Sequence, residues 1–101
     1  MGRQIKQVKW DDLALKSFID ILNYIKLKSP QNANLLKTRI LNLIKNLPAN
    51  PEMYRVDELK NDNDGSFRVF NRDSIRVSYK IETSIIIITR VKHSSQEPIS
   101  Y

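Results

Sequence analysis

"SFRVFNRDSIRVSYKIETSIIIITRVKH", residues 66–93, decides the fold. Three runs rich in β-branched and aromatic residues, "SFRVFN", "SIRVSYKI" and "SIIIITRVKH", are separated by short polar breaks. Such a pattern predicts a meander of three antiparallel strands. Alternation then suggests a register. With Asn71, Arg72 and Asp73 as a three-residue hairpin loop, Val69 falls opposite Ile75 and Phe67 opposite Val77, so that Arg68 faces Arg76. With Glu82, Thr83 and Ser84 as the next loop, Ile81 falls opposite Ile85, Tyr79 opposite Ile87 and Ile75 opposite Val91, so that Arg76 faces Arg90. One face of this sheet is apolar. The other carries a row of arginines, Arg68, Arg76 and Arg90, with Lys92, Lys80 and Phe70 nearby.

Upstream, the period changes. "WDDLALKSFIDILNYIKLKS" places Ala14, Phe18, Ile21, Leu22 and Ile25 on one stripe of an amphipathic helix, with Asp11 as its N-cap. In "SPQNA", Ser29 caps a second helix and Pro30 takes the first helical position, where its missing N–H costs nothing. Ala33, Leu36, Ile40, Leu43, Ile44 and Leu47 form the second stripe, and Pro48 ends it. So tight a join predicts an antiparallel helical hairpin. A short strand around Ile5 to Lys9 is expected to join the sheet, and the acidic connection "ANPEMYRVDELKNDND" is expected to hold a turn or a short strand. The fold class is α+β: an N-terminal strand and a helical hairpin packed on a small antiparallel sheet, in a single domain over residues 1–101.

The 101 residues include no cysteine and one histidine, so disulfides, thiolate metal sites and thiol nucleophiles are excluded. Two glycines cannot build a phosphate-cradling loop, "DNDG" lacks full calcium-loop spacing and reads as a turn, and no metal or cofactor is expected. No run approaches a membrane span and the N-terminus has no apolar signal region, so the expected location is the cytoplasm, with no membrane partner. The formal charge is +6 with a pI near 9.7, which favours an acidic partner such as nucleic acid or an acidic protein. Charge is segregated: five acids fall within residues 52–64, whereas residues 66–93 hold six bases against Asp73 and Glu82.

A row of facing arginines is destabilised by tenths of a kcal/mol per like-charged pair. It reads either as a solvated face or as a phosphate or carboxylate site suited to guanidinium forks. An anion would relieve the repulsion, and Arg76→Ala is expected to leave the fold intact or slightly more stable. His93 reads as a polar residue at a strand end or as a general acid. Phe70 beside arginines could stack on a nucleobase or lie under the tail. Trp10, Phe18, Tyr24 and Tyr79 fit core or rim positions.

The order helix, helix, three-strand meander, with "SIRVSYKI" and "RVKHSSQEP", resembles the RelE/ParE superfamily of toxins from bacterial type II toxin–antitoxin pairs. The likeness covers nearly the whole chain, from the tryptophan-led first helix through "SP" and "LPANP" to a C-terminal "V-x-H" followed by "Q-x-P". It implies a cytoplasmic toxin neutralised by a cognate antitoxin wrapped over sheet and helices. RelE-like members bind the ribosome and cut mRNA without metal; ParE-like members inhibit DNA gyrase and have no nuclease chemistry. For mRNA cleavage the resemblance implies Arg76 for phosphorane charge, Arg68 at the start of the preceding strand, His93 as acid and Tyr101 as the C-terminal tyrosine. Arg90, Lys92, Lys80 and Phe70 would contact RNA or another anion. Two basic positions of RelE are replaced here by Phe70 and Ser94. The ending "RVKHSSQEP" is closer to ParE-like members. Ribosome-dependent mRNA cleavage is the leading expectation, beside gyrase inhibition and a non-catalytic anion-binding module.

Overall fold

The computed structural model describes residues 7–96 and 98–101. Five strands and two helices run in the order β1 (Gln7–Trp10), α1 (Asp12–Lys28), α2 (Pro30–Lys45), β2 (Arg55–Val56), β3 (Phe67–Arg72), β4 (Ile75–Ile81) and β5 (Ile85–His93), with a 3₁₀ turn at Leu47–Ala49. The sheet order is β1-β5-β4-β3-β2. Only β1 joins in parallel, beside β5, so the sheet is mixed while β2 to β5 are antiparallel throughout. Of the expected strand at Ile5 to Lys9, Ile5 and Lys6 lie outside the described residues.

Both helices begin and end where local chemistry directs. The Ser29 hydroxyl accepts from the Asn32 N–H at 3.2 Å, and Pro30 opens α2. Asp11 stands at the N-cap of α1 without a side-chain bond; its own N–H donates to the Ile88 carbonyl at 2.9 Å and so ties the helix start to β5. Ala14, Phe18 and Ile21 of α1 and Leu36, Ile40 and Ile44 of α2 are buried against Ile75, Val77, Tyr79, Ile81, Ile86, Ile88 and Val91. Trp10 closes one rim by stacking on Phe18, with ring centroids 5.4 Å apart. Tyr24, expected in the core or at its rim, is exposed.

The meander is present, but its register differs from the expected one. β3 and β4 are joined by the two residues Asp73 and Ser74, both at positive φ (50° and 68°), so that Arg72 pairs with Ile75, Phe70 with Val77 and Arg68 with Tyr79. Positive φ at both loop positions is the geometry of a primed two-residue hairpin, usually built with Asn-Gly. An Asp-Ser pair does not announce it. Tertiary contacts hold the strained tip: Arg39 bonds the Asp73 carboxylate at 3.2 Å, and the Ser94 N–H reaches the Ser74 carbonyl at 2.8 Å. Moving the pairing by an odd number of residues exchanges the two faces of β3 relative to β4.

In the second hairpin Ile81 pairs with Ile86 and Tyr79 with Ile88, so the buried isoleucines are Ile86 and Ile88, not Ile85 and Ile87. A bulge then intervenes. Thr89 drops out of the ladder, and Ser78 pairs with Arg90, Val77 with Val91, Arg76 with Lys92 and Ile75 with His93. Without the extra residue Arg90 would stand opposite Val77 on the helix side; the bulge re-aims it, and Lys92 with it, to the face that carries Arg76.

Candidate functional site

The sheet face opposite the helices is covered by the connection before β3 and by the segment after β5. At its centre lies Asp57, 1% exposed, a residue that the sequence reading did not single out. Its backbone is fixed first: the Asp57 N–H donates to the Phe67 carbonyl at 2.9 Å, and the Asn63 side-chain amide donates to the Asp57 carbonyl at 3.2 Å. Asn63 also accepts from the Gly65 N–H at 2.9 Å, and Gly65 takes φ of 98°, so "DNDG" is the turn that returns the chain to the sheet.

The Asp57 carboxylate takes three donors. Arg76 Nη2 lies 2.6 Å from Oδ1, the Tyr101 phenol 2.6 Å from Oδ2, and the Leu59 N–H 3.0 Å from Oδ1. Arg76 Nη2 is also 3.0 Å from Glu58 Oε1, and its Nη1 donates to the buried Ser78 hydroxyl at 3.1 Å. Burial alone would push the Asp57 carboxyl up, but the bonds from Arg76, Tyr101 and Leu59 outweigh it and hold Asp57 below the ordinary carboxylate range. Burial opposes the charge on Arg76, yet Asp57 and Glu58 raise its pKa further. Burial and then the bond to Asp57 push the Tyr101 phenol up. The triad is therefore an anion held between a guanidinium and a neutral phenol.

The segment after β5 is fastened across this face. The Tyr101 N–H donates to the Leu59 carbonyl at 2.8 Å, and Arg90 Nη1 donates to the Ile99 carbonyl at 2.9 Å. The Arg90 guanidinium lies 4.1 Å from the Tyr101 ring centroid, and Phe67 meets the same ring edge-on at 6.2 Å. Lys60 Nζ sits 4.8 Å from the Phe67 ring centroid.

The structure separates the residues expected to act together. Arg76, Arg90, Lys92 and Lys80 share the face away from the helices, as the expected row required. Arg68 does not. It stands opposite Tyr79, and its guanidinium donates to the carbonyls of Gly65 (3.0 Å), Tyr54 (3.1 Å) and Glu52 (3.4 Å). Phe70 is 2% exposed on the helix side, its ring 4.9 Å from that of Tyr54, so it presents no free surface to a base. Arg76 faces Lys92 rather than Arg68 or Arg90, and it is ion-paired. The expectation that its removal would leave the fold undisturbed or firmer does not survive that pairing. Lys80 lies 3.8 Å from Glu82 and 5.5 Å from the Phe67 ring centroid. His93 remains in the ladder opposite Ile75, and its Nδ1 accepts from the Ser95 N–H at 3.1 Å with the Ser95 hydroxyl at 2.9 Å. Among the described residues no group of His, Cys, Asp and Glu could hold a metal ion.

The arrangement of a helical hairpin on one face of a five-stranded mixed sheet has a counterpart among solved structures. A solved structure, the "Chromosomal ParDE TA system from P. aeruginosa", superposes with a TM-score of 0.67 over 89% of this chain and 97% of that one, at 17% identity. The chain belongs to the ParE toxin family of type II toxin–antitoxin systems: the family model, described as "ParE toxin of type II toxin-antitoxin system, parDE", matches residues 8–98. Among curated proteins no match is found.

Proposed function

We propose that this toxin arrests growth by binding and inhibiting DNA gyrase, without RNA-cleaving chemistry, and that an antitoxin neutralises it. The observation that carries this reading is the ion-paired arginine: Arg76 is bonded by Asp57 at 2.6 Å and Glu58 at 3.0 Å, so the protein's own carboxylates fill the seat a scissile phosphate would need. Metal-free cleavage at a ribose hydroxyl requires a base, an acid and free positive charge at one phosphate. Here the Tyr101 phenol is committed to Asp57, and Arg68 is bound to backbone carbonyls on the other side of the sheet. Both targets are cytoplasmic, and no described helix is long and apolar enough to cross a membrane.

The antitoxin has a suitable surface. A groove of about 690 Å³ between α1 and α2 is lined by Leu15, Ile19, Leu22 and Leu41, with Lys26 and Lys37 as the only charges among its described lining residues, and suits the apolar face of an acidic amphipathic helix.

One observation favours the rival reading, ribosome-dependent mRNA cleavage: His93 shares a pocket with Arg76, Arg90 and Lys92. Gyrase supercoiling of relaxed plasmid and primer extension on an mRNA in a purified translation system separate the two. Loss of supercoiling with intact mRNA is expected; cut mRNA with normal supercoiling would overturn the gyrase reading and return His93 to the mechanism.

A further inference from the structure

The pocket that His93 shares with Arg76, Arg90 and Lys92 encloses about 300 Å³ between the ends of β4 and β5 and the segment that follows β5. That volume is at the lower end of small-molecule sites, so it suits one compact ligand rather than a polymer. Its lining is of two kinds. Beside the basic groups, Leu59, Pro98 and Ile99 contribute aliphatic surface, and no Asp or Glu is among the described lining residues.

The charges decide what kind of anion balances the site. Arg76 is neutralised by Asp57 and Glu58. Arg90 gives one N–H to the Ile99 carbonyl and rests on the Tyr101 ring, but no described carboxylate answers its charge. Lys92 stands directly across from Arg76, a like-charged pairing that costs stability, and it too meets no carboxylate among the described residues. Two cations are therefore left to be answered. A phosphodiester or a carboxylate brings a single negative charge, whereas a phosphomonoester carries about −1.5 to −2 near pH 7 and has three acceptor oxygens.

The remaining lining decides what carries the phosphate. The His93 ring is held in place through Nδ1, which accepts from the Ser95 N–H at 3.1 Å, and it stands with Pro98 and Ile99 in the pocket. A planar ring between such surfaces is a stacking site for a nucleobase. The Gln96 side-chain carbonyl is spent on the His93 N–H at 2.7 Å, which leaves the Gln96 amide nitrogen to donate to a ribose hydroxyl. A sugar phosphate would turn hydroxyls towards the aliphatic residues, and inorganic phosphate would leave them unused. We propose that this pocket binds a nucleoside monophosphate, with the phosphate dianion received by Arg90 and Lys92 and the base between the His93 ring and the Pro98 and Ile99 side chains. The inference goes beyond the gyrase reading and does not depend on which process the toxin arrests.

The test titrates the full chain, by calorimetry, with adenosine 5′-monophosphate, adenosine, inorganic phosphate and a twelve-nucleotide RNA bearing either a 5′-phosphate or a 5′-hydroxyl. The monophosphate is expected to bind roughly tenfold or more tightly than adenosine, the worth of a charge-assisted contact, and more tightly than inorganic phosphate. Lys92→Gln should remove the preference over adenosine and Lys92→Arg should keep it, whereas His93→Ala should remove the preference over inorganic phosphate. Since the fold gives Lys92 no described carboxylate, both of its variants should retain the wild-type circular dichroism spectrum. Amide shifts in the ¹H–¹⁵N spectrum should concentrate at Asn71, Ser94 and Gln96, which line the pocket. Adenosine or inorganic phosphate binding as tightly as the monophosphate, binding that Lys92→Gln leaves unchanged, or shifts confined to α1 and α2 would each overturn the proposal. So would tighter binding of either RNA at these residues, the 5′-phosphorylated one pointing to a strand end and the 5′-hydroxyl one to the diester backbone. Supercoiling by gyrase does not enter these measurements, so the two readings fail separately.

Discussion

Removing the guanidinium of Arg76 should unfold much of what it holds. In Arg76→Ala, the Asp57 carboxylate, whose side chain is fully buried, loses its counterion and keeps the neutral donors, the Tyr101 phenol and the Leu59 N–H among them. Breaking a buried ion pair by removing one partner costs about 3–5 kcal/mol, because the remaining charge is left without its counterion. The Arg76 side chain is 17% exposed, so water can enter the space it vacates, which puts the expected loss near the lower end, about 3 kcal/mol. Glu58 adds little, since its side chain is 55% exposed and pairs of that kind are worth about 0–1 kcal/mol. For a domain of this size about 3 kcal/mol lowers Tm by roughly 12–24 °C. Thermal and urea unfolding followed by circular dichroism at pH 7 measure it.

The pH dependence supplies the sharper check. Asp57 sits below its ordinary pKa in the folded protein, so its contribution is full above the unfolded carboxylate value of about 3.9 and is lost as pH falls through the folded value. In Arg76→Ala burial acts with less opposition, the Asp57 pKa rises, and mild acidification should stabilise the variant while it leaves the wild type unchanged or weaker. Arg76→Met combined with Asp57→Leu should recover most of the loss, since an apolar pair of similar volume replaces a buried ion pair at little cost. A decrease below about 1 kcal/mol, or a higher Tm, would refute the buried pair and restore the solvated arginine row.

Three further substitutions test neighbouring parts of the structure. Tyr101→Phe should cost about 1.5–3 kcal/mol, the range for a hydrogen bond to a charged group. It should also flatten stability in alkali, because a phenol with a raised folded pKa withdraws stability as pH climbs past about 10; an unchanged urea midpoint would show that Tyr101 does not hold the segment down. Phe70→Ala should lose about 3–5 kcal/mol as a core cavity, a result that a solvent-facing stacking ring would not give. Ser74→Gly should gain about 0.5 kcal/mol, since relief of φ at 68° exceeds the added freedom of the unfolded chain; calorimetry showing a lower Tm would count against strain at that tip.

The elements themselves were legible in the sequence because their periods are local. The stripes from Ala14 to Ile25 and from Ala33 to Leu47, the Ser29-Pro30 start and the three β-branched runs specify α1, α2 and the meander through i, i+4 spacing, capping and alternation. The family also followed from their order. The strand register did not, for two physical reasons. Asp73 tolerates positive φ, but Ser74 stands where such a turn usually has glycine, and the tip is held by Arg39 and Ser94 from other elements. The four consecutive isoleucines, Ile85 to Ile88, are apolar in either register, so alternation could not place the bulge at Thr89. The site depended on both. Segregation of acids in residues 52–64 from bases in residues 66–93 hinted that the connection would lie on the strands, but which carboxylate meets Arg76 is a contact across nineteen positions. Only the folded sheet, by turning Arg68 and Phe70 to one side and Arg76, Arg90 and Lys92 to the other, decides that Arg76 is answered by Asp57 while Lys92 meets no carboxylate among the described residues.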